Sequence, residues 1–296
     1  MSPTILLSID VEDWFQVENL RPYFPPSSWE NQDSRVEKNT LRLLDLIDLF
    51  GTGCKATFFI LGWIADRYPQ LVREIHSRGH EVASHGYGHL MCTEMKLDEL
   101  AVDLQKSKEI LENITGKPVI GYRAPNFSIS DRILALIEKA GYKYDSSYNN
   151  FNRHGRYGRI ATNGFLKQGI ALKINTDFYE IPISNLQWGK SIIPWGGGGY
   201  FRFIPPSIFR AGVRRILSRQ QTYMFYLHPW EIDPDQPVVH TKTSLSNWKH
   251  YLNLDKTHGR LENLLKQLRH CMFMTCRQYL ESVHKSDPQP RNTPGA

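Results

Sequence analysis

The stretch TILLSIDVEDW, residues 4–14, decides how the rest of the chain is read. Its first six residues are a short apolar run rich in β-branched side chains, the composition of a buried strand. The run turns acidic at Asp10, so carboxylates fall at the end of that strand. The same unit recurs downstream. VEKNTLRLLDLIDLFG (36–51) has helical spacing and a closing glycine, CKATFFIL (54–61) reads as a strand, and ADRYPQLVREIHSRG (65–79) as a helix. HEVASH (80–85), PVIGYR (118–123), YKYDSS (142–147) and TYMFYLH (222–228) read as further strands, with helices over 97–116 and 130–141. Repeated strand–helix units predict an α/β fold: a parallel sheet with helices outside, open or closed into a barrel. In such folds the chemistry gathers at the C-terminal ends of strands. Asp10, His85, Arg123, Asp145 and His228 all fall there.

A length of 296 residues allows one large α/β domain or two ordinary ones, and 41% hydrophobic with 22% charged residues is normal for a folded chain. The net charge of +6 is scattered, with RRILSR (214–219) the densest cluster. That scatter argues against nucleic acid as a partner and leaves a weak attraction to anionic polymers or membrane surfaces. Cys54, Cys92, Cys271 and Cys276 form no CxxC and read as reduced, mostly buried thiols. The N-terminus has no basic region before Asp10, so it does not read as a signal peptide, and ATFFILGWIA (56–65) is only about half a membrane span. The expectation is a cytoplasmic chain with no integral membrane segment, and at most peripheral membrane association.

Residues 150–200 are irregular, and IPWGGGGYFRFIPP (193–206) holds four successive glycines. They read as a flexible or substrate-lining loop, not a phosphate loop, because no GK[ST] follows and no helix start is evident. KTHGRLENLLKQLRH (256–270) is amphipathic, a short strand and helix follow, and 285–296 reads as a disordered tail.

SHGYGHL (84–90) sets His85 and His89 four residues apart. Alone, such spacing is more often structural. It gains weight from the carboxylates of SIDVEDW, because one carboxylate and two imidazoles commonly hold a catalytic divalent ion. The two rings converge if 85–89 form one helical turn. Glu12 lies two residues from Asp10 and shares its strand face; Asp13 takes that place if the strand has already ended. His80, near the opposite end of its strand, reads as structural.

Taken in order, SIDVED, SHGYGH, GYRAPNF, YKYDSS and FYLHPWE resemble the five motifs of the polysaccharide deacetylase family, carbohydrate esterase family 4. The Gly-rich segment and the C-terminal extension resemble the subgroup associated with bacterial exopolysaccharide loci. The resemblance implies a distorted (β/α) barrel of about seven parallel strands with outer helices. It implies a single catalytic domain over 1–284, with a core at 4–232 and an extension at 233–284. It implies a divalent metal ion, zinc by default with cobalt or nickel as substitutes, and a carbohydrate polymer or oligosaccharide as partner.

Roles follow the same resemblance. Asp10 matches the general base and Arg123 the arginine that orients it. Glu12 or Asp13, with His85 and His89, match the metal ligands, although Val11 stands where the family usually has its aspartate ligand. Asn126 replaces the usual tyrosine and could offer a backbone N–H to an oxyanion. Asp145 matches the carboxylate that orients the acid His228, and Trp230 could wall an acetyl pocket. The activity implied is removal of N-acetyl groups from N-acetylhexosamine units of a bacterial polysaccharide or its precursor. Two other readings stand beside it: an amidohydrolase of cyclic imides or ureides on the same scaffold, and a carbohydrate-binding relic without catalysis.

Overall fold

The computed structural model describes residues 2–151, 155–239 and 249–285; the tail from 286 onward lies outside the described residues. The chain begins with β1 (Thr4–Val11), α1 (Val36–Asp48), β2 (Ala56–Ile60), α2 (Gly62–Arg67) and α3 (Pro69–Ser77). Next come β3 (Glu81–Ser84), α4 (Leu97–Thr115), β4 (Gly121–Tyr122), α5 (Asp131–Lys139) and β5 (Tyr144–Asp145). The helix expected over 65–79 is two helices. Pro69 opens the second, and a residue before proline is steered away from helical backbone, so Tyr68 sits at φ −123°, ψ 56°.

Five short strands follow: β6 (Leu166–Gln168), β7 (Ala171–Lys173), β8 (Tyr179–Glu180), β9 (Asn185–Trp188) and β10 (Ser191–Pro194). Then come α6 (Gly198–Phe203), α7 (Pro206–Gln220), β11 (Thr222–Leu227), α8 (Leu254–Leu268), β12 (Met272–Phe273) and α9 (Cys276–Lys285). The main sheet runs β11-β1-β2-β3-β4-β5-β8-β7-β6. Its first seven strands are mutually parallel, and near the far edge only β7 is reversed, pairing antiparallel with both β8 and β6. The gap between β8 and β11 is bridged by single bonds. Met224 N donates to Ser184 Oγ (2.9 Å) and Tyr226 N to Gly196 O (2.7 Å). The result is a distorted barrel.

β1 shows how the strand period sorts residues. Ile5, Leu7, Ile9 and Val11 join the core beneath the outer helices, while Leu6 joins a second core with Phe59, Tyr144 and Met224 on the other face of the sheet. A period of two puts Ser8 and Asp10 on the Leu6 face. The C-terminal extension returns to this strand: Met272 N donates to Pro3 O (2.8 Å) and Met274 N to Ile5 O (3.1 Å). Cys276, Tyr279 and Leu280 of α9 fill the inner core from that side. All four cysteines are buried and unpaired.

The glycine run is not the loop expected from sequence. A helix starts inside it at Gly198, and α7, which the sequence reading did not anticipate, follows directly. Close approach explains the glycines. A Cβ at Gly196 would fall 2.6 Å from Ile183 Cγ2, one at Gly197 2.7 Å from the Tyr226 hydroxyl, and one at Gly198 2.1 Å from Glu231 Oε1.

Candidate active site

Asp10, Glu12, His85, His89, Asn126, Trp230 and His228 line one cavity of about 430 Å³. Asp10 is fixed from below. Arg123, wholly buried, donates from Nη1 to Asp10 Oδ1 (2.6 Å) and to Ser8 Oγ (2.9 Å). Its other nitrogens donate to the carbonyl (3.0 Å) and hydroxyl (2.9 Å) of Ser146, and its centre lies 4.0 Å from the Phe59 ring centroid. A guanidinium with its donors so engaged holds the aspartate in one orientation.

Glu12, just past β1, points the same way. Its Oε2 is 2.6 Å from His89 Nε2, and ligand atoms of Glu12, His85 and His89 all lie within 4.8 Å of one another. The histidine loop is not the helical turn expected over 85–89. Gly86 takes φ 74° and His89 φ 51°, and the turn is held from α4, where Asp103 accepts from Tyr87 N (2.9 Å) and Gly88 N (3.4 Å). A histidine in left-handed backbone is strained, and such strain persists where surrounding contacts enforce it. His85 Nδ1 bonds the Arg123 carbonyl (2.7 Å), which requires its proton on Nδ1 and leaves the Nε2 lone pair for the cavity. Burial also lowers the His85 pKa to about 4, so the ring is neutral, as a ligand must be. Burial alone would raise the Glu12 pKa, but the imidazoles of His89 and His228 outweigh it and hold the carboxyl well below its usual range. Glu12 Oε2 is buried with no donor aligned on it among the described residues. An orphaned carboxylate oxygen facing two imidazoles fits a divalent cation.

Asp13 does not take part. Its carboxylate accepts from Trp14 N (2.9 Å), Ser34 Oγ (2.7 Å), Arg35 N (2.9 Å) and Val36 N (3.2 Å), capping the turn after β1 and the start of α1. Three of those bonds fall on Oδ2, and Asp13 adds no atom to the group formed by Glu12, His85 and His89.

Asp145 is also corrected. Its oxygens accept from the hydroxyl (2.6 Å) and backbone N–H (3.0 Å) of Ser147, and its neighbour is the buried Glu180. Burial raises both pKa values, and the Asp145 charge lifts Glu180 further, well above the usual range, so Glu180 is the carboxyl that keeps its proton. The carboxylate on His228 is Glu231, whose Oε1 lies 2.8 Å from Nδ1. Arg202 donates from Nε to Glu231 Oε2 (2.7 Å), and both side chains are almost fully buried. The opposite ring nitrogen, Nε2, faces Glu12 Oε1 (3.2 Å) and Asp10 Oδ2 (4.0 Å). Burial works against a charged ring, but Glu12, Glu231 and Asp10 together raise the His228 pKa to about 9.

Sequence reading passed over Glu231 and Arg202. The signal was present: Glu231 follows His228 by three residues across a short 3-10 turn, and Arg202 follows the glycine that makes room for Glu231. Trp230 stacks on His228 (5.3 Å between centroids, 18°) and donates its indole N–H to Glu12 Oε1 (3.2 Å), so it steadies both. Asn126 sits in left-handed backbone (φ 55°) at the cavity wall, with Nδ2 buried and unpartnered among the described residues. His80 is structural, its Nδ1 accepting from Ala56 N (3.2 Å).

Residues 30–144 match the family described as polysaccharide deacetylase, and residues 146–281 match a domain of unknown function, DUF3473. A peptidoglycan deacetylase of Helicobacter pylori is 36% identical over 140 residues, covering 43% of this chain and 47% of its own length. A peptidoglycan-N-acetylglucosamine deacetylase of Bacillus cereus is 30% identical over 104 residues, covering 35% of this chain and 47% of its own. The chain thus spans less than half the length of these curated relatives. Among solved structures, a Mycobacterium smegmatis protein provisionally named a polysaccharide deacetylase superposes with a TM-score of 0.64 at 18% identity, over 100% of this chain and 98% of its own. An allantoinase superposes at 0.62 and 13% identity, over 97% and 92%; likeness at such identities establishes the fold alone. With the five motifs gathered at the strand ends of this barrel, the chain resembles the polysaccharide deacetylase family, whose model matches residues 30–144.

Proposed function

We propose that this chain removes N-acetyl groups from N-acetylhexosamine units of a carbohydrate polymer or its precursor, with a divalent metal ion held by Glu12, His85 and His89. One observation carries the reading: a carboxylate fixed by a buried arginine and an imidazole fixed by a buried carboxylate face each other across that ligand trio. A binding cleft needs neither group. When bound, the ion, zinc by default, supplies Lewis acidity at the amide carbonyl.

The residues do the rest. Asp10, aimed by Arg123, takes a proton from the attacking water through its free oxygen. The backbone N–H of Asn126 is the candidate donor to the carbonyl oxygen as it gains charge. His228 donates a proton from Nε2 to the nitrogen as the C–N bond breaks, since an unprotonated amine is a poor leaving group. Glu231 and Arg202 keep that nitrogen turned to the cavity.

Equilibrium dialysis against zinc and acetate release from chito-oligosaccharides test the proposal together. The wild type should retain zinc and release acetate. The His85→Ala/His89→Ala double variant should do neither while keeping its circular dichroism. Full zinc retention in that variant sinks the ligand assignment.

A further inference from the structure

Residues 181–230 contain no aspartate or glutamate, although the whole chain carries 30 acidic residues, and the same stretch holds six Lys or Arg. One of the six, Arg202, is buried against Glu231. The others lie on α7 and on the tip of the β9–β10 hairpin. Phe209, Val213, Ile216 and Leu217 turn the inner side of α7 to the core. The outer side shows Ile208, Arg214, Arg215 and Arg219 to solvent. The hairpin tip adds exposed Lys190 and Trp188, with the Arg215 guanidinium 5.1 Å from the Trp188 ring centroid. Among the described residues, Lys190, Arg214 and Arg219 have no ion-pair partner.

Apolar groups are exposed on the same segment. Trp188 is 63%, Ile208 56% and Phe203 60% exposed, and Ile193 sits opposite Leu186 in the hairpin register. Phe203 also lines the active-site cavity, so this face reaches the mouth of the site. Large apolar side chains left in water beside unpaired cations mark an interaction surface.

We propose that α7 and the β9–β10 hairpin dock this enzyme onto a lipid surface with anionic headgroups. Charge complementarity selects an anionic partner. The apolar groups select lipid over a soluble anionic polysaccharide, which has no hydrocarbon in which to bury Ile208 and Trp188. Tryptophan prefers the headgroup boundary, while arginine stems cross it and leave the guanidinium among phosphates. A face continuous with the cavity mouth presents the site to substrate held at that surface.

Co-sedimentation of the full chain with phosphatidylcholine vesicles, with and without phosphatidylglycerol, tests the proposal without using turnover. The chain should bind the phosphatidylglycerol vesicles, ignore the neutral ones, and be released by added salt. Arg214→Ser and Arg219→Ser should each lower the partition coefficient about fivefold. Trp188→Ser and Ile208→Ser should weaken binding that residual charge still steers. All four variants should release acetate from soluble chito-oligosaccharides as the wild type does, so failure of the docking face and failure of the deacetylase reading give different results. The salt response of the wild type reads the electrostatics even where a variant folds poorly. Equal binding to both vesicles, or binding to heparin with none to vesicles, overturns the proposal.

Discussion

Residues 36–145 and residues 181–232 meet over one cavity but are built by different rules. In the first, strand and helix alternate, and His85 and Arg123 each follow a strand whose pattern announces it. In the second, β9 and β10 pair only with each other, and α6 begins in a glycine run. What organises the second region is close approach: backbone against Tyr226, against Ile183, and against the Glu231 carboxylate. Local pattern therefore locates residues that strands deliver. It misses residues delivered by contacts between segments.

The largest effect should come where the regions meet. Asp10→Asn should lower acetate release by about 10³-fold while zinc still binds in dialysis, because the base is lost and the ligands are not. Near-normal turnover would move the base elsewhere and leave Arg123 holding a structural aspartate.

A sharper comparison sets Glu231 against Asp145. Glu231→Gln should cost about 10² in amide cleavage and much less on an activated aryl acetate, whose phenolate departs without a proton. Gly198→Ala, which drives a methyl into the Glu231 carboxylate, should show the same bias more mildly. Asp145→Asn should lower both activities together or neither. A selective loss of amide cleavage in Asp145→Asn, absent in Glu231→Gln, would restore the carboxylate assignment that the family resemblance implied.

The smallest effect concerns stability. Glu180 keeps its proton in the fold well above its ordinary range, whereas in the unfolded chain it releases it near pH 4.3, about the model-peptide value. The folded state then binds more protons than the unfolded one, so this residue's contribution is whole at low pH and falls as pH rises toward the folded pKa. Glu180→Gln removes that dependence. Thermal melts should show the variant gaining roughly 2 °C or more over wild type at pH 8 relative to pH 5. A gap that does not change with pH would mean that Glu180 is charged in the fold.

The parallel sheet was legible because β1 and β2 are long enough to show their composition, and its closure into a barrel came only from what the family resemblance implied. β4 and β5 have two residues each and were found only through their neighbours. Glu12 could be preferred over Asp13 from strand period alone. The reason Asp13 is excluded, four bonds to the turn and to α1, involves residues up to 23 positions away. The glycine run was misread for a related cause. Glycine weakens a helix by its own entropy, but here the helix is held by what only glycine lets it touch.

Gly198, Arg202, His228 and Glu231 all lie within the acid-free stretch or at its edge, and none of the three candidate metal ligands does. On the proposed reading, the proton donor, the carboxylate that aims it, the cation behind that carboxylate and the gap that admits it thus sit within 34 consecutive residues. Substitutions there should shift the preference among leaving groups, amine or alcohol, while Asp10 and the candidate ligand trio on the opposite wall stay as they are. On that reading, variants of this chain can be selected for the bond they cut without rebuilding the part that makes water attack.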